Sequence, residues 1–546
     1  MILKEHELLQ IDEKFICRLR EQDPDALAGL SIKLVSDLKE AVERLNQNPS
    51  NSSRPSGSLA PWDKGIVNDD EEVDVGVDDI DDESTIDEKK VLRSETGLDK
   101  EESLDTASTP EEDSLQSKES TEQRKPGRQS GSQGFGRTQQ LAVSGTTHHA
   151  CGSCSACNED ITAVEKAYTG FHTVNIEFGN TDSPGVRLIN IRHLYYRGRC
   201  PKCGLENRTE PWRAPAATAD WKNVGMTQWR LIGPDLAALI VYLSMDMRVT
   251  RRKVKQFLGD VLGLNLSIGT LQNCIVESAR ALEPVEAQLI DDLCSASLMH
   301  ADETSHNEAG KRLWLWVFIT ASTALFLIGR RTKEIFTHLF EALTDFNGHL
   351  MTDGYSLYRA YPKRLRCWAH LLRKAKGLSE SYTLTSQTYG RQVQDSLNAL
   401  IDAVYQAREG PDRGMVSIVA HHQETLKNLR KVCEAMAASS HKKTRELGVE
   451  FLNDWEAIFR VLDYPAWPLT NNEAERALRH WVILRKITQG TNSAQGSRAL
   501  ALFASVFATC RLRNSSPLVY IRDVIHMRRQ GQDVPKLPQI PGLVAA

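Results

Sequence analysis

Between Ser297 and Trp368 the chain carries five short apolar runs rich in aromatic and β-branched residues, and from 371 to 460 it carries none. Leu298–Ala301, Leu313–Thr320, Thr323–Ile328, His349–Thr352 and Leu365–Trp368 have the length and composition of strands. The second and third, parted by Ala321-Ser322, read as a hairpin beside the first, and Glu334–Leu343 reads as a helix. In the strand-free stretch the apolar residues keep helical spacing, as in Leu397, Leu400, Ile401, Val404 and Tyr405. The pattern predicts an α/β fold: a mixed sheet with helices on its faces, interrupted by an all-helical insertion. Residues 473–513 and 517–528 close it as helices, with Pro517 suited to the first turn of the last.

Two of the apolar runs lead directly into aspartates, Asp302 in His300-Ala-Asp-Glu-Thr304 and Asp353 in Leu350-Met-Thr-Asp-Gly354. A third acid, Glu475, lies in the helical segment Asn471-Asn-Glu-Ala-Glu-Arg476. Functional groups collect at strand ends in open sheets, and carboxylates drawn together repel one another unless a cation is bound. The arrangement predicts a centre for two Mg²⁺ or Mn²⁺ ions, with Asp302 bridging both and Asp353 and Glu475 each holding mainly one. The chemistry it points to is phosphoryl transfer on a nucleic acid. Glu473 competes for the third role, and spacing leaves that choice open.

Arg476, Arg479, Arg485 and Lys486 follow the glutamate as candidate nucleic-acid contacts. Arg479, four residues beyond Glu475, shares its helix face and can steady the carboxylate or meet a phosphate. For Arg485-Lys486 a solvated salt-bridge face is the plainer reading. His370, just past Cys367-Trp368, either approaches the same strand ends or is a packed core histidine.

Five of the eleven cysteines fall between 151 and 203, and the rest have no spacing that suggests a disulfide framework. Cys154-Ser-Ala-Cys157 and Cys200-Pro-Lys-Cys203 are two CxxC knuckles, and two such pairs complete a structural Zn²⁺ site. Cys151 forms a CxxC with Cys154 as well, so the first knuckle can slip by three residues, and His148 and His149 are spare ligands.

The net charge of −5 hides an uneven distribution. Residues 63–120 hold 22 Asp/Glu against 6 Lys/Arg, which leaves the remainder, with 61 Lys/Arg against 50 Asp/Glu, basic enough for a phosphate-binding surface. No apolar run is long enough to span a bilayer and the N-terminus does not read as a signal peptide, so a cytoplasmic location with no membrane partner is expected.

Eight segments follow. Residues 1–55 form a leucine-rich helical segment, with Leu27, Leu30, Leu34, Leu38, Val42 and Leu45 on one face that wants a partner. Residues 56–147 read as a disordered linker, acidic and then Gly/Ser-rich, whose basic end Arg124–Arg137 is plain linker or touches a DNA backbone. Residues 148–211 form the zinc module, with strands expected at Thr173–Glu177 and Val186–Ile191. Residues 212–296 are helical, and Thr250–Leu258, Gly263 and Ser267–Asn273 read as a helix-turn-helix or as two core-packing helices. Residues 297–370 and 461–513 are the two parts of the catalytic domain, 371–460 its insertion, and 514–546 a C-terminal helix and tail.

With these residues in hand, the sequence resembles the IS66 family of bacterial insertion-sequence transposases along nearly its whole length. The resemblance rests on the leucine helix ending in Leu45-Asn-Gln-Asn-Pro-Ser-Asn-Ser-Ser-Arg-Pro55, the split cysteine finger, Ala301-Asp-Glu-Thr304 and Thr352-Asp-Gly-Tyr355. It continues through Cys367-Trp-Ala-His370, Asn471-Asn-Glu-Ala-Glu-Arg476 with Arg485-Lys486, and Pro517-Leu-Val-Tyr520. It implies an RNase H-like DDE catalytic domain with Asp302, Asp353 and Glu475 as the triad. It further implies divalent-metal cleavage and strand transfer at element ends, DNA as partner, a homo-oligomer on that DNA, and accessory proteins encoded by the same element. The acidic insert at 66–120, Phe135 and Pro468-Leu-Thr470 depart from the family pattern and leave the triad intact. A catalytically decayed DNA-binding protein and a nuclease that cuts without joining are the competing readings.

Overall fold

The computed structural model describes residues 11, 13–45, 139–161, 166–179, 182, 184–213, 226–228, 230–332, 345–409 and 417–541. Most of the expected linker with its basic end, the Asn46–Pro55 turn and the Glu334–Leu343 helix lie outside the described residues.

Two helices form the described N-terminal part, α1 (Glu13–Gln22) and α2 (Pro24–Leu45). Asp23 separates them, its carboxylate accepting the Ala26 N–H at 2.9 Å as a helix cap does.

The cysteine module is built on a three-stranded sheet of β1 (Gly145–His149), β2 (Thr169–Phe178) and β3 (Val186–Tyr195), in the order β1-β3-β2. The linker expected to reach 147 gives way to strand at Gly145, because Thr146, Thr147 and His148 pair in parallel with Arg192, His193 and Leu194. A two-stranded hairpin follows, β4 (Arg197–Arg199) and β5 (Glu206–Arg208).

Four α-helices lead to the large sheet, α3 (Pro234–Val241), extended by a π-helical turn at Tyr242–Asp246, α4 (Arg251–Leu262), α5 (Ile268–Leu282) and α6 (Val285–Cys294). Gly263, at φ +61°, ends α4 in the left-handed conformation that suits glycine, and the Ser267 hydroxyl caps α5 by accepting the Thr270 N–H at 3.0 Å. α5 buries Leu271, Cys274 and Ile275, whereas α4 turns Arg251, Arg252, Lys253 and Lys255 outward.

The large sheet contains β6 (Leu298–Glu308), β7 (Lys311–Ile319), β8 (Ala324–Gly329), β9 (His349–Thr352) and β10 (Arg364–Arg366). Its order is β10-β9-β6-β7-β8, with β6, β7 and β8 antiparallel and β9 and β10 parallel to β6. β6 does not stop at its apolar run: it continues through Asp302 to Glu308, since β7 supplies a partner for each of those residues. Asp302 therefore lies within a strand, two residues past the end of pairing with β9. The fifth strand is shorter than its apolar run, because Cys367 caps the next helix and Trp368 opens it.

That helix, α7 (Trp368–Ser379), begins the insertion, which continues with α8 (Leu384–Glu409), α9 (Ile418–His421), α10 (Gln423–Ala437), α11 (Lys442–Asn453) and α12 (Trp455–Phe459). Its core is continuous with the sheet edge, joining Met351 and Leu365 to Trp368, Leu397, Leu400 and Phe451. The chain then returns as α13 (Asn472–Thr488), α14 (Ala494–Leu512) and α15 (Pro517–Arg529). The expected 473–513 helix is broken where Gln489 and Gly490 take positive φ. A Cβ on Gly490 would stand 2.1 Å from the Asn307 carbonyl, so only glycine lets this turn close on β6. On the other edge, α14 supplies hydroxyls to strand β8: Thr509 accepts from Ala324 N at 3.0 Å and Ser505 from Phe326 N at 2.8 Å. Edge amides that would otherwise invite another strand are satisfied in this way.

Candidate metal centres

Leu298, Met299 and His300 pair in parallel with His349, Leu350 and Met351. Carried on by two residues, that register sets Asp302 level with Asp353 on strands about 4.8 Å apart. Glu475 enters from the first turn of α13. Its charge acts on Asp302, whose carboxyl is held well above the usual range by burial first, then by repulsion from Asp353, Glu303 and Glu475. Glu473, the competitor for the third position, points outward and pairs with Arg476 at 3.2 Å.

Glu475 is held instead by His370, Nε2 to Oε1 at 3.2 Å. That contact, foremost, together with Arg373 and Arg479, outweighs burial and keeps the Glu475 carboxyl below its ordinary value. His370 thus sits at the carboxylate site rather than packed away in the core.

Two buried residues, Asn471 and Cys367, connect the three acidic segments. Asn471 donates from Nδ2 to the Ala301 carbonyl at 2.9 Å, and its Oδ1 meets His300 Nδ1 at 3.0 Å. Its backbone N–H donates to Cys367 Sγ at 3.3 Å, and Cys367 N in turn donates to the Thr352 carbonyl at 2.9 Å. Ala301 precedes Asp302, Thr352 precedes Asp353, and Asn471 is the N-cap of the helix of Glu475, so the hydrogen-bond path runs through the residue before each aspartate and the cap of the glutamate's helix.

The Asp353 turn is clamped on two sides. Asp353 Oδ1 accepts from Tyr355 N at 2.9 Å, an Asx-type turn. Below it lies the fully buried Arg366, which donates to Glu450 and, with Arg359 and Arg364, to Asp454. A Cβ on Gly354 would come within 2.7 Å of Arg366 Nη2 and 2.8 Å of Glu450 Oε1, so these charges pack directly on the turn. On the other side Glu303 accepts from Arg331 at 2.8 Å and from the Tyr358 hydroxyl, while Arg331 stacks over Tyr355 with its Cζ 3.6 Å from the ring centre. Burial and then the charge of Asp353, only partly offset by Arg331, push Glu303 up to about 8. This second carboxylate cluster is not legible in the sequence, because Arg331, Tyr358 and Arg366 belong to no spaced motif.

The basic residues after Glu475 have different surroundings. Arg476 and Lys486 are exposed, and Arg479 lies close enough to act on Glu475. Arg485 is engaged within the fold, donating to the Ser305 carbonyl and, at 2.7 Å, to the Ser305 hydroxyl.

In the cysteine module the sulfurs of Cys154, Cys157, Cys200 and Cys203 converge. Cys154 and Cys203 are 3.5 Å apart, Cys157 and Cys200 3.5 Å, and Cys157 and Cys203 3.7 Å. Tetrahedral zinc with Zn–S about 2.3 Å puts its sulfurs about 3.8 Å apart, so the donor set fits zinc. The two knuckles repeat one backbone pattern. Cys154 N donates to Glu159 O and Asn158 N to Cys154 O; Cys200 N donates to Leu205 O and Gly204 N to Cys200 O. Asn158 and Gly204, the matching residues, both take positive φ. Asn207 links the halves by accepting from Ser155 N at 2.9 Å and donating to Cys154 Sγ at 3.6 Å.

The amides of Ala156 and Cys157 pull Cys154 down to about 6, whereas at Cys157 the Glu159 amide is outweighed by burial and the other sulfurs, which carry it up to about 12. All four would become thiolates together only around a cation. Cys151 stands apart, its thiol directed at the Asn207 carbonyl at 3.3 Å. His148 is taken by the Tyr196 hydroxyl at 2.5 Å and His149 by His193 at 3.1 Å, so neither belongs to the four-sulfur group.

The acidic residues, the sheet and the inserted helices lie in a region, residues 230–499, that matches a family model of transposases. The model is that of the transposase IS66 family, and the chain belongs to that family through this region. Similar proteins include the uncharacterized protein y4qI of Sinorhizobium fredii, 26% identical over 322 residues, which covers 53% of this chain and 56% of y4qI. The uncharacterized protein y4hP of the same organism is 24% identical over 344 residues, 54% of this chain and 59% of y4hP. The chain thus spans little more than half the length of these relatives. No helix among the described residues is long and apolar enough to cross a membrane.

Proposed function

We propose that the chain is a DDE transposase with an RNase H-like catalytic domain, cleaving phosphodiesters at the ends of its element and joining the exposed 3′-hydroxyl to target DNA. The observation that supports this most is the strand register that sets Asp302 level with Asp353, with Glu475 on α13 near enough for its charge to act on Asp302, three acids from distant segments whose repulsion cations would relieve. Two Mg²⁺ or Mn²⁺ ions held by these carboxylates would supply activation of the attacking oxygen and stabilisation of the leaving one. The protein's own groups hold the carboxylates in place. His370 fixes Glu475, Asn471 and Cys367 tie the three segments together, and the Arg366 cluster supports the Asp353 turn.

DNA is the substrate this reading requires. The outward basic residues of α4, with Arg476 and Lys486, suit phosphate contacts. The zinc site serves as a structural element of the module. A homo-oligomer on DNA and accessory proteins of the same element complete the proposal.

Labelled element ends, target DNA and Mg²⁺ test it. The wild-type chain is expected to yield joined product, and Asp302→Asn to lose several kcal/mol of transition-state stabilisation, about 10³-fold or more in cleavage rate, with DNA binding retained. Undiminished cleavage by that variant overturns the mechanism. Cut but unjoined product from the wild type identifies a nuclease instead, and a shifted band alone a regulatory DNA-binding protein.

A further inference from the structure

Cys367, His370 and Glu475 present a thiol, an imidazole and a carboxylate whose donor atoms all lie within 4.8 Å of one another. Cys367 is the N-cap residue of α7 and His370 lies three residues on, so both come from one helical turn, with Glu475 facing them from α13. His370 Nε2 and Glu475 Oε1 are 3.2 Å apart, against about 3.3 Å for nitrogen and oxygen ligands on one tetrahedral zinc. Glu475 Oε1 is buried and has no aligned hydrogen-bond donor. The thiol is buried too, fixed by the Asn471 amide, and must close by about an ångström to complete the set.

From this geometry we propose that Cys367, His370 and Glu475 form a second, thiophilic metal site that takes Zn²⁺ or a similar borderline ion, apart from the four-cysteine site. Three mixed protein ligands with a fourth position left to water match the donor preference of zinc. Magnesium takes hard oxygen donors and does not select a thiolate. Binding displaces the thiol proton to solvent and leaves the sulfur as an anionic ligand, with no change of oxidation state. Glu475 belongs both to this site and to the proposed triad. The consequence for activity therefore rests on the transposase reading: an ion held by Cys367 and His370 draws Glu475 away from Asp302 and Asp353, and so acts against Mg²⁺. The metal site itself does not depend on that reading.

Cobalt(II) titration of the full-length chain, its four-cysteine site already loaded with zinc, tests the proposal. One added equivalent is expected to produce a sulfur-to-cobalt charge-transfer band with the intense visible bands of tetrahedral coordination. Cys367→Ser should abolish the charge-transfer band and weaken cobalt binding by at least about 100-fold. His370→Gln, which keeps the thiol and its cap, should weaken binding similarly and serves if the serine variant misfolds. Asp302→Asn should leave the band intact, so loss of catalysis and loss of this site are read separately. Absence of a thiolate band, a band unchanged in Cys367→Ser and His370→Gln, or one that follows Cys154→Ser instead overturns the site. If the site binds cobalt but zinc raises the Mg²⁺ requirement equally in wild type and Cys367→Ser, the antagonism fails while the site stands.

Discussion

The four sulfurs come from two short turns that each close the same pair of backbone hydrogen bonds, whereas the three carboxylates of the proposed triad come from segments 51 and 122 residues apart and come under one another's influence only when the sheet and α13 are assembled, without converging as closely as the sulfurs do. In the first centre the ligand geometry is local, and tertiary structure has only to bring two finished halves together. In the second nothing is local. The acids repel, Asp302 is raised by its neighbours, and the work of placement falls on Asn471, Cys367, His370 and the ion pairs around Arg366. Loss of a ligand should therefore unmake the first centre, while loss of a support should loosen the second.

The largest effect is expected at the cysteine site. Cys200→Ser, or exhaustive chelation, removes binding free energy on the order of 10 kcal/mol from the module. The zinc of the four-cysteine site should be lost, and residues 148–211 should lose hydrogen-exchange protection while the large sheet keeps its own. Protection unchanged in the module would mean its fold stands without metal.

Next comes Asn471→Ala, which strands the Ala301 carbonyl and the His300 imidazole in the interior at about 1–3 kcal/mol each. Urea unfolding should show that loss, and the Mg²⁺ concentration for half-maximal cleavage should rise. Asn472→Ala, at an exposed position, should do neither. Gly354→Ala forces a methyl onto Arg366 and Glu450 and should cost about 1–3 kcal/mol by overpacking. Its diagnostic is a larger fall in Mg²⁺ affinity than in zinc content, since the strain is felt at Asp353 alone.

The smallest effect concerns His306, which burial and then Arg485 push down to about 4 despite Glu308. Because the folded value lies below the unfolded one, near 6.5, the unfolded chain takes up the proton first as pH falls. The stability contribution is whole above about pH 6.5 and is lost on the way down to about 4. With solvent screening it amounts to about 1 kcal/mol. His306→Gln should flatten this part of the stability–pH curve, and an unchanged slope between pH 7 and 5 would remove His306 as its source.

What the residues reveal in advance follows the same division. The knuckles are legible because CxxC states its geometry in four residues, although sequence could not decide against Cys151, whose exclusion depends on the Asn207 carbonyl. The five strands are legible from their apolar runs, but the polar half of β6 is not, since Asp302 to Glu308 become strand only through pairing with β7. The choice of Glu475 over Glu473 needed the helix to be oriented, and Arg331, Glu450 and Asp454 find their partners only in three dimensions.

The inserted helices leave the sheet at Cys367 and come back at Asn471, and the two ends are stitched together there: Trp368 N donates to Leu469 O at 2.8 Å and Asn471 N to Cys367 Sγ at 3.3 Å. An excursion whose exit and re-entry share one gate can lengthen or shorten with little disturbance to what lies outside it. Loop-closure entropy grows only with the logarithm of its length, about 0.6 kcal/mol for each doubling. In this chain the excursion could change size with little cost on condition that it still returned Glu450 and Asp454 to the buried arginines of β10.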